Sequence, residues 1–315
     1  MEAGSAQLGS SATPGGHRPL GVKRRRRGED LIRALLFLAA MVSILTTLGI
    51  VVALVVQSAP FFAEVTTRFF TDGSWSPLFA PPEFGIWQLL NGTFLITGIA
   101  ILVAIPLGLG AAVYLSEYAT PRVRRIVKPI LEVLVGVPTV VFGYFALTFV
   151  TPEILQALGF NVAGFNALSA GLVMGIMIVP TIASISEDAM RAVPQGLREG
   201  AYGLGSTRRQ VATRVVFPAA LSGIVASIFL GISRGIGETM IVLLAAGLQP
   251  NFGLNPNEGF ATITTFMGAT AKGDNPAGTI GYESIFACGL ILFLLTLAMN
   301  MIAIRFVRKY RQVYD

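Results

Sequence analysis

Two opposite charges, Arg234 and Glu238, stand near the middle of a stretch that is otherwise almost wholly apolar. Holding an arginine at the centre of a bilayer costs from about 2.5 to well over 10 kcal/mol, so such a residue persists only where something satisfies it. Four residues apart on a helix, the two side chains share a face and can neutralise each other, which is a purely structural explanation. The other explanation is an anion pathway. A guanidinium presents a planar fork of donors that matches a tetrahedral oxyanion, and Gly231, Gly235 and Gly237 leave room beside the helix.

Covalent chemistry has little support. Gly231, Ser233 and Gly235 satisfy G-x-S-x-G, but that pattern needs a strand-to-helix elbow and a neighbouring base. The single histidine, His17, lies in the N-terminal tail, and the single cysteine, Cys288, lies in an apolar run. Intrachain disulfides and Cys/His metal sites are excluded by that count. The sequence contains no G-x-x-x-x-G-K-[ST] phosphate loop. It predicts no catalytic residue, no metal ligand and no cofactor bound by the chain itself.

The elements that must position Arg234 and Glu238 follow from composition. Of 315 residues 53% are hydrophobic and 13% charged, against roughly a quarter charged in a soluble domain. The charges cluster, leaving apolar stretches longer than the ~20 residues that cross a bilayer as a helix. These run at about 34–56, 86–115, 130–151, 167–186, 219–248 and 280–304. An all-α integral membrane protein of six transmembrane helices is therefore predicted. The second stretch, about 45 Å long at 1.5 Å per residue, must tilt, bend at Pro106 or project beyond the hydrocarbon.

Residues 1–30 read as a disordered, basic tail, rich in Gly, Ser, Ala and Pro and ending in Lys23, Arg24, Arg25, Arg26 and Arg27. The first apolar stretch exceeds a signal-peptide core and no small-residue cleavage site follows it, so it is expected to stay. Arg122, Arg124, Arg125 and Lys128 lie between the second and third stretches. Arg191, Arg198, Arg208, Arg209 and Arg214 lie between the fourth and fifth, and Arg305, Arg308, Lys309 and Arg311 follow the sixth. The alternate connections hold only Arg68, none, and Lys272. The positive-inside rule then puts both termini in the cytoplasm, with Trp75 and Trp87 near the outer interface. The net charge of +6 thus reports orientation in the lipid bilayer and not nucleic-acid binding.

Residues 187–218 are too polar to span, yet Met190, Val193, Leu197, Ala201 and Leu204 recur at helical spacing. They predict two short amphipathic helices at the membrane surface, hinged near Gly203 and Gly205. A plain connector between helices needs only two to eight residues. Glu199, Gly200 and Ala201, then Gly205, then Val215, Val216, Phe217 and Pro218 match in spacing the E-A-A, G, I-x-L-P loop of binding-protein-dependent ABC importer permeases. Gly200 departs from the second alanine, and Val215 and Phe217 from isoleucine and leucine.

The chain resembles that family over nearly everything after residue 30. Residues 133–147, VLVGVPTVVFGYFAL, and 233–247, SRGIGETMIVLLAAG, look like the phosphate-specific members, the PstC and PstA type. The first span, the basic N-terminus and LLNGTFLITGIAILVAIPLGLGAAVYLSEYA favour PstC. The resemblance implies a type I importer permease, with a MetI-like core plus an extra N-terminal span over 31–315. It implies a coupling helix at Glu199, Gly200, Ala201, Gly205 and Pro218 that docks on a separate ATPase. It further implies a PstA-like permease partner, a PstB-like ATPase dimer carrying ATP and Mg²⁺, and a PstS-like extracytoplasmic phosphate-binding protein. In that setting Arg234 holds a phosphate oxygen and Glu238 accepts a hydrogen bond from a protonated one. A permease for molybdate or sulfate, or an ion-coupled secondary transporter, fits the midspan charges as well.

Lys128 and Glu132 form an i, i+4 pair at the cytoplasmic end of the third span, and Gly136, Pro138 and Gly143 either shape a kink or allow close helix packing. The outer segment 249–282 either meets a binding protein or is a plain surface loop.

Overall fold

A computed structural model describes residues 27–77, 79, 81–273, 276 and 278–310. The tail 1–26, with Lys23 to Arg26 of its basic run, and Arg311 lie outside the described residues. Two units divide at Ile50. The described part of the first is the opening of helix α1 (Arg27–Thr71), exposed along its length, with Leu35, Leu36, Phe37 and Ile44 facing outward. An apolar helix face left open to this degree suits lipid and not water.

The second unit, from Val51 onward, is a packed bundle. After the end of α1 comes a two-residue hairpin, β1 (Trp75–Ser76) and β2 (Glu83–Phe84), paired antiparallel with Trp75 opposite Phe84. Then follow α2 (Trp87–Val113), α3 (Pro121–Val135), α4 (Thr139–Phe145) and α5 (Ala167–Arg191). Both α2 and α4 run on into π-helical turns, Tyr114–Tyr118 and Ala146–Gln156. Three short pieces come next, α6 (Gln195–Gly203), α7 (Arg208–Val211) and α8 (Phe217–Ala219), and then α9 (Leu221–Ile236), α10 (Met240–Ala245), α11 (Ile263–Thr270) and α12 (Ile280–Tyr310).

Among the described residues five helical segments are long and apolar enough to cross a membrane, and a bent pair, Arg208–Ala219 with Leu221–Ile236 at 71°, brings the number to six. The first, second, fourth and sixth spans fall where apolar length predicts them. The third and fifth differ. Instead of one helix over 130–151, the amphipathic α3 ends at Gly136, and the chain restarts after Pro138, whose backbone is extended at ψ 131°. Proline disfavours helical backbone in the residue before it, so the expected kink is a full break. The fifth stretch is likewise interrupted at Gly237–Thr239, between α9 and α10.

The centre of the bundle is the packing of α2 on α5. A Cβ at Gly175 would meet the carbonyl oxygen of Ala100 at 2.8 Å, and one at Gly171 would meet Ile99 at 2.6 Å. Small residues let the two backbones approach where no hydrophobic force pulls membrane helices together. A second cluster gathers Phe61, Phe69, Trp75, Phe84 and Phe266 edge to face. It fixes the end of α1 and the hairpin against α11.

The segment 249–262 stays at the surface through Glu258, as expected, and only its last residues, 259–262, turn inward. Phe260 and Ala261 are buried, and Phe260 and Ala261 donate backbone hydrogen bonds to Ala246 and Gln249. Thr262 and Thr265 cap α11 reciprocally. The backbone of Ala261 lies so close to α2 that a Cβ at Gly92 would come within 2.2 Å of its carbonyl oxygen. Gly92→Ala is therefore expected to lose about 1–3 kcal/mol to overpacking, read as a lower melting temperature of the purified protein in mild detergent.

Candidate functional site

The break in the fifth span is built by its own residues. Glu238 Oε1 accepts hydrogen bonds from the backbone amides of Met240 at 3.0 Å and Ile241 at 3.2 Å, the first turn of α10. A carboxylate there satisfies donors that a helix start leaves free and suits the positive end of its dipole. Thr264 of α11 donates to the Glu238 carbonyl at 2.7 Å and holds the same turn from the other side. At Gly143, a Cβ would meet the Met240 carbonyl oxygen at 2.9 Å, so α4 and α10 touch backbone to backbone. The two interrupted spans thus meet at their interruptions.

Arg234 sits one turn before this break, and no hydrogen bond or ion pair satisfies it among the described residues. The i, i+4 pair with Glu238 is not formed, because the helix ends at Ile236 and the Glu238 carboxylate turns to α10. The Arg234 side chain instead lines a cleft of about 310 Å³, together with Leu131, Glu132 and Val135 of α3 and Pro180, Thr181 and Ser184 of α5. The Thr181 hydroxyl is buried there without a partner. Glu132, and not Glu238, is the carboxylate on the wall of that cleft.

A second charged constellation fixes the segment that follows α5. Glu187, fully buried, lies 2.7 Å from Arg124 Nη2 and 2.9 Å from Lys128 Nζ, both on α3. Lys128 also pairs with Asp188, so its partners are on α5 and not Glu132. Desolvation opposes the charge on Lys128, but the hydrogen bonds it donates to Asp188 and Glu187, and their attraction, hold the ammonium above the ordinary lysine range. A group with a raised folded pKa adds stability that is complete below the unfolded value of about 10.4 and fades as pH climbs through the folded one. The clamp is accordingly constant through neutral pH and weakens only in strong alkali. Glu187→Ala leaves Arg124 and Lys128 facing each other and should cost about 3–5 kcal/mol, measured as a fall in melting temperature.

Beyond this clamp, α6 lies at the surface with no residue of its own fully buried. Arg198 ties its root down. It donates to the carbonyls of Val193 and Met190 and pairs at 3.2 Å with Glu117, whose side chain is only 6% exposed. Glu199 and Gly200 face outward, while Ala201 packs on the cluster of Met190, Val193, Val211 and Val216. The chain then reverses at Gly205, where φ is +82°, a conformation that costs glycine no steric strain. Thr207 and Gln210 cap α7 reciprocally, and Pro218 lies exposed in α8. The expected pair of short helices hinged at Gly205 is therefore present, with Glu199, Gly200, Ala201 and Gly205 in one projecting element.

Residues 104–312 match the family model described as "Binding-protein-dependent transport system inner membrane component". The chain belongs to this family. As an inner membrane component it is a multi-pass transport subunit, and the cleft and the projecting element lie within the matched residues. Relatives include a probable ABC transporter permease protein, YqgH, of Bacillus subtilis, 32% identical over 91% of this chain and 92% of that protein. The phosphate transport system permease protein PstC of Haemophilus influenzae is 30% identical over 90% of this chain and 94% of that one. The fold is that of importer permeases of known structure. A bacterial alginate ABC transporter matches with TM-score 0.63 and 17% identity over 92% of this chain and all of that one. The MetNI methionine transporter matches with TM-score 0.52 and 19% identity over 72% of this chain and 95% of that one. This inner membrane component thus has the expected MetI-like core.

Two ion-pair groups, Glu187 with Arg124 and Lys128, and Glu117 with Arg198, are not legible in the sequence. Their basic members read only as topology signals, because partners 59 to 81 residues apart cannot be matched from one sequence.

Proposed function

We propose that this protein is a permease subunit of an ATP-driven inorganic phosphate importer of the PstC type. Its relatives bear that name, and its midspan chemistry suits the anion. The observation that carries the reading is the unpaired Arg234 at a helix break, open to a cleft at membrane depth. An arginine so placed needs an anion or water to satisfy it. The chain forms half of the pathway beside a PstA-like permease. Glu199, Gly200, Ala201 and Gly205 present α6, with Pro218 behind it, to a PstB-like ATPase dimer that carries ATP and Mg²⁺. A PstS-like protein delivers phosphate from outside, and both termini lie in the cytoplasm.

In this reading Arg234 holds a phosphate oxygen, and the hydrogen-bond-accepting role passes from Glu238 to Glu132. Glu238 is a positioning residue whose carboxylate fixes the start of α10. Glu132 lines the Arg234 cleft without an ion-pair partner among the described residues, and so can accept a hydrogen bond from a protonated phosphate oxygen. Sulfate has no such proton at neutral pH and meets only repulsion there. Glu132→Gln is expected to strengthen sulfate as a competitor of phosphate uptake by about tenfold, a step of 1.4 kcal/mol. Uptake competition among phosphate, sulfate and molybdate in proteoliposomes holding the whole transporter measures this. Preferred uptake of sulfate or molybdate by the unaltered protein, or uptake driven by an ion gradient without the ATPase, overturns the assignment.

A further inference from the structure

We propose that a cavity at the N-terminal half of α3 is a second anion site, one that holds a phosphoryl group. It has a volume of about 530 Å³, and its charged walls are Arg124, Arg125, Lys128 and Arg191 against the single carboxylate Glu132. Two of the four cations are committed. Lys128 is held by Glu187 and Asp188, and the Arg124 Nη2 by Glu187. The others are not. Arg125 has no hydrogen bond or ion pair among the described residues, and Arg191 reaches Glu187 only at 3.9 Å.

A guanidinium bordering a cleft without a strong ion-pair partner is an anion-binding group, and two of them, Arg125 and Arg191, border this one. Several guanidinium groups around one space favour an anion with three acceptor oxygens and more than one charge over a carboxylate. Two sources can supply that chemistry. The helix α3 carries the outward-facing apolar residues Ile126, Ile130 and Val133 beside its arginines, the pattern of a helix lying in a membrane interface, where a basic pocket takes lipid headgroups. Free inorganic phosphate is the second source, because Glu132 borders both this cavity and the Arg234 cleft. The site stands on these charges and does not depend on the assignment of Arg234 to transport.

The test uses the full-length chain with its ATPase in nanodiscs, comparing the unaltered protein with the double variant Arg125→Gln, Arg191→Gln. Both side chains are exposed, so the fold should survive, and Arg125→Gln alone serves as a milder second variant. In one arm inorganic phosphate is titrated by equilibrium dialysis in phosphatidylcholine discs, in an Arg234→Ala background. In the other, phosphatidylglycerol retained through native mass spectrometry is counted. A loss of at least about fivefold in either arm supports the site, and the responding arm names the source. Equal binding by unaltered and variant proteins in both arms overturns it. Because Arg234→Ala is read separately by uptake, failure of the transport assignment leaves this result legible.

Discussion

Phosphate uptake by proteoliposomes holding the complete transporter is expected to fall at least about a hundredfold when Arg234 becomes alanine. A charge-assisted, desolvated contact to the anion is worth about 3 kcal/mol or more, and each 1.4 kcal/mol is a factor of ten. Arg234→Lys keeps the charge but loses the planar fork, so it should recover only part of that loss. Stability is the second readout. Had Arg234 been half of a structural ion pair with Glu238, its removal would strand a buried carboxylate and lower the melting temperature. Here Glu238 is held by the amides of Met240 and Ile241, so the alanine variant should melt no lower than the unaltered protein. Full uptake with reduced stability would reverse the assignment and return Arg234 to a structural role.

That contrast also marks where the sequence stops being legible. Apolar length alone locates the fourth span, because α5 is a single uninterrupted helix whose buried face packs on α2. The hinge of the surface segment is legible too, since glycine at Gly205 meets a conformation other residues avoid. The break at Gly237–Thr239 is not. Residues 219–248 carry no charge except at Arg234 and Glu238, and an uninterrupted helix through them accounts for the sequence equally well. The interruption is decided by where the Glu238 carboxylate turns and by Thr264, 26 residues away on a helix that reads as an outer loop. Segment 249–262 misleads for a related reason. Its Asn, Gly and Pro content signals irregular backbone, which is normally at the surface. Here Ala163, Ala167 and Leu168 donate to Asn257, Glu258 and Pro256 at the edge of the bundle, and the buried residues 259–262 follow, with Phe260 and Ala261 donating to Ala246 and Gln249. Irregular backbone is tolerated at membrane depth only when protein supplies its hydrogen bonds.

Arg198→Ala should break the coupling of ATP hydrolysis to transport. The arginine joins three elements, the end of α5 through the Met190 and Val193 carbonyls, the π-helical end of α2 through Glu117, and α6 on which it stands. If, as proposed, an ATPase docks on α6, its force reaches the bundle only through contacts that hold in both transport states. Ala201 and Arg198 are the inward-facing ones on that helix. Removing Arg198 leaves two carbonyls and the nearly buried Glu117 without their cation, at about 2–4 kcal/mol. The expected outcome is uptake reduced by about tenfold or more, with ATP hydrolysis continuing and no longer stimulated by substrate. The double variant Arg198→Ala, Glu117→Gln separates anchoring from simple destabilisation. Neutralising the stranded carboxylate should restore much of the melting temperature, because the unpaired charge is gone. It should not restore uptake, because α6 still lacks its tether. Recovery of both together would mean that Arg198 matters only for folding and that force enters the bundle elsewhere on the segment.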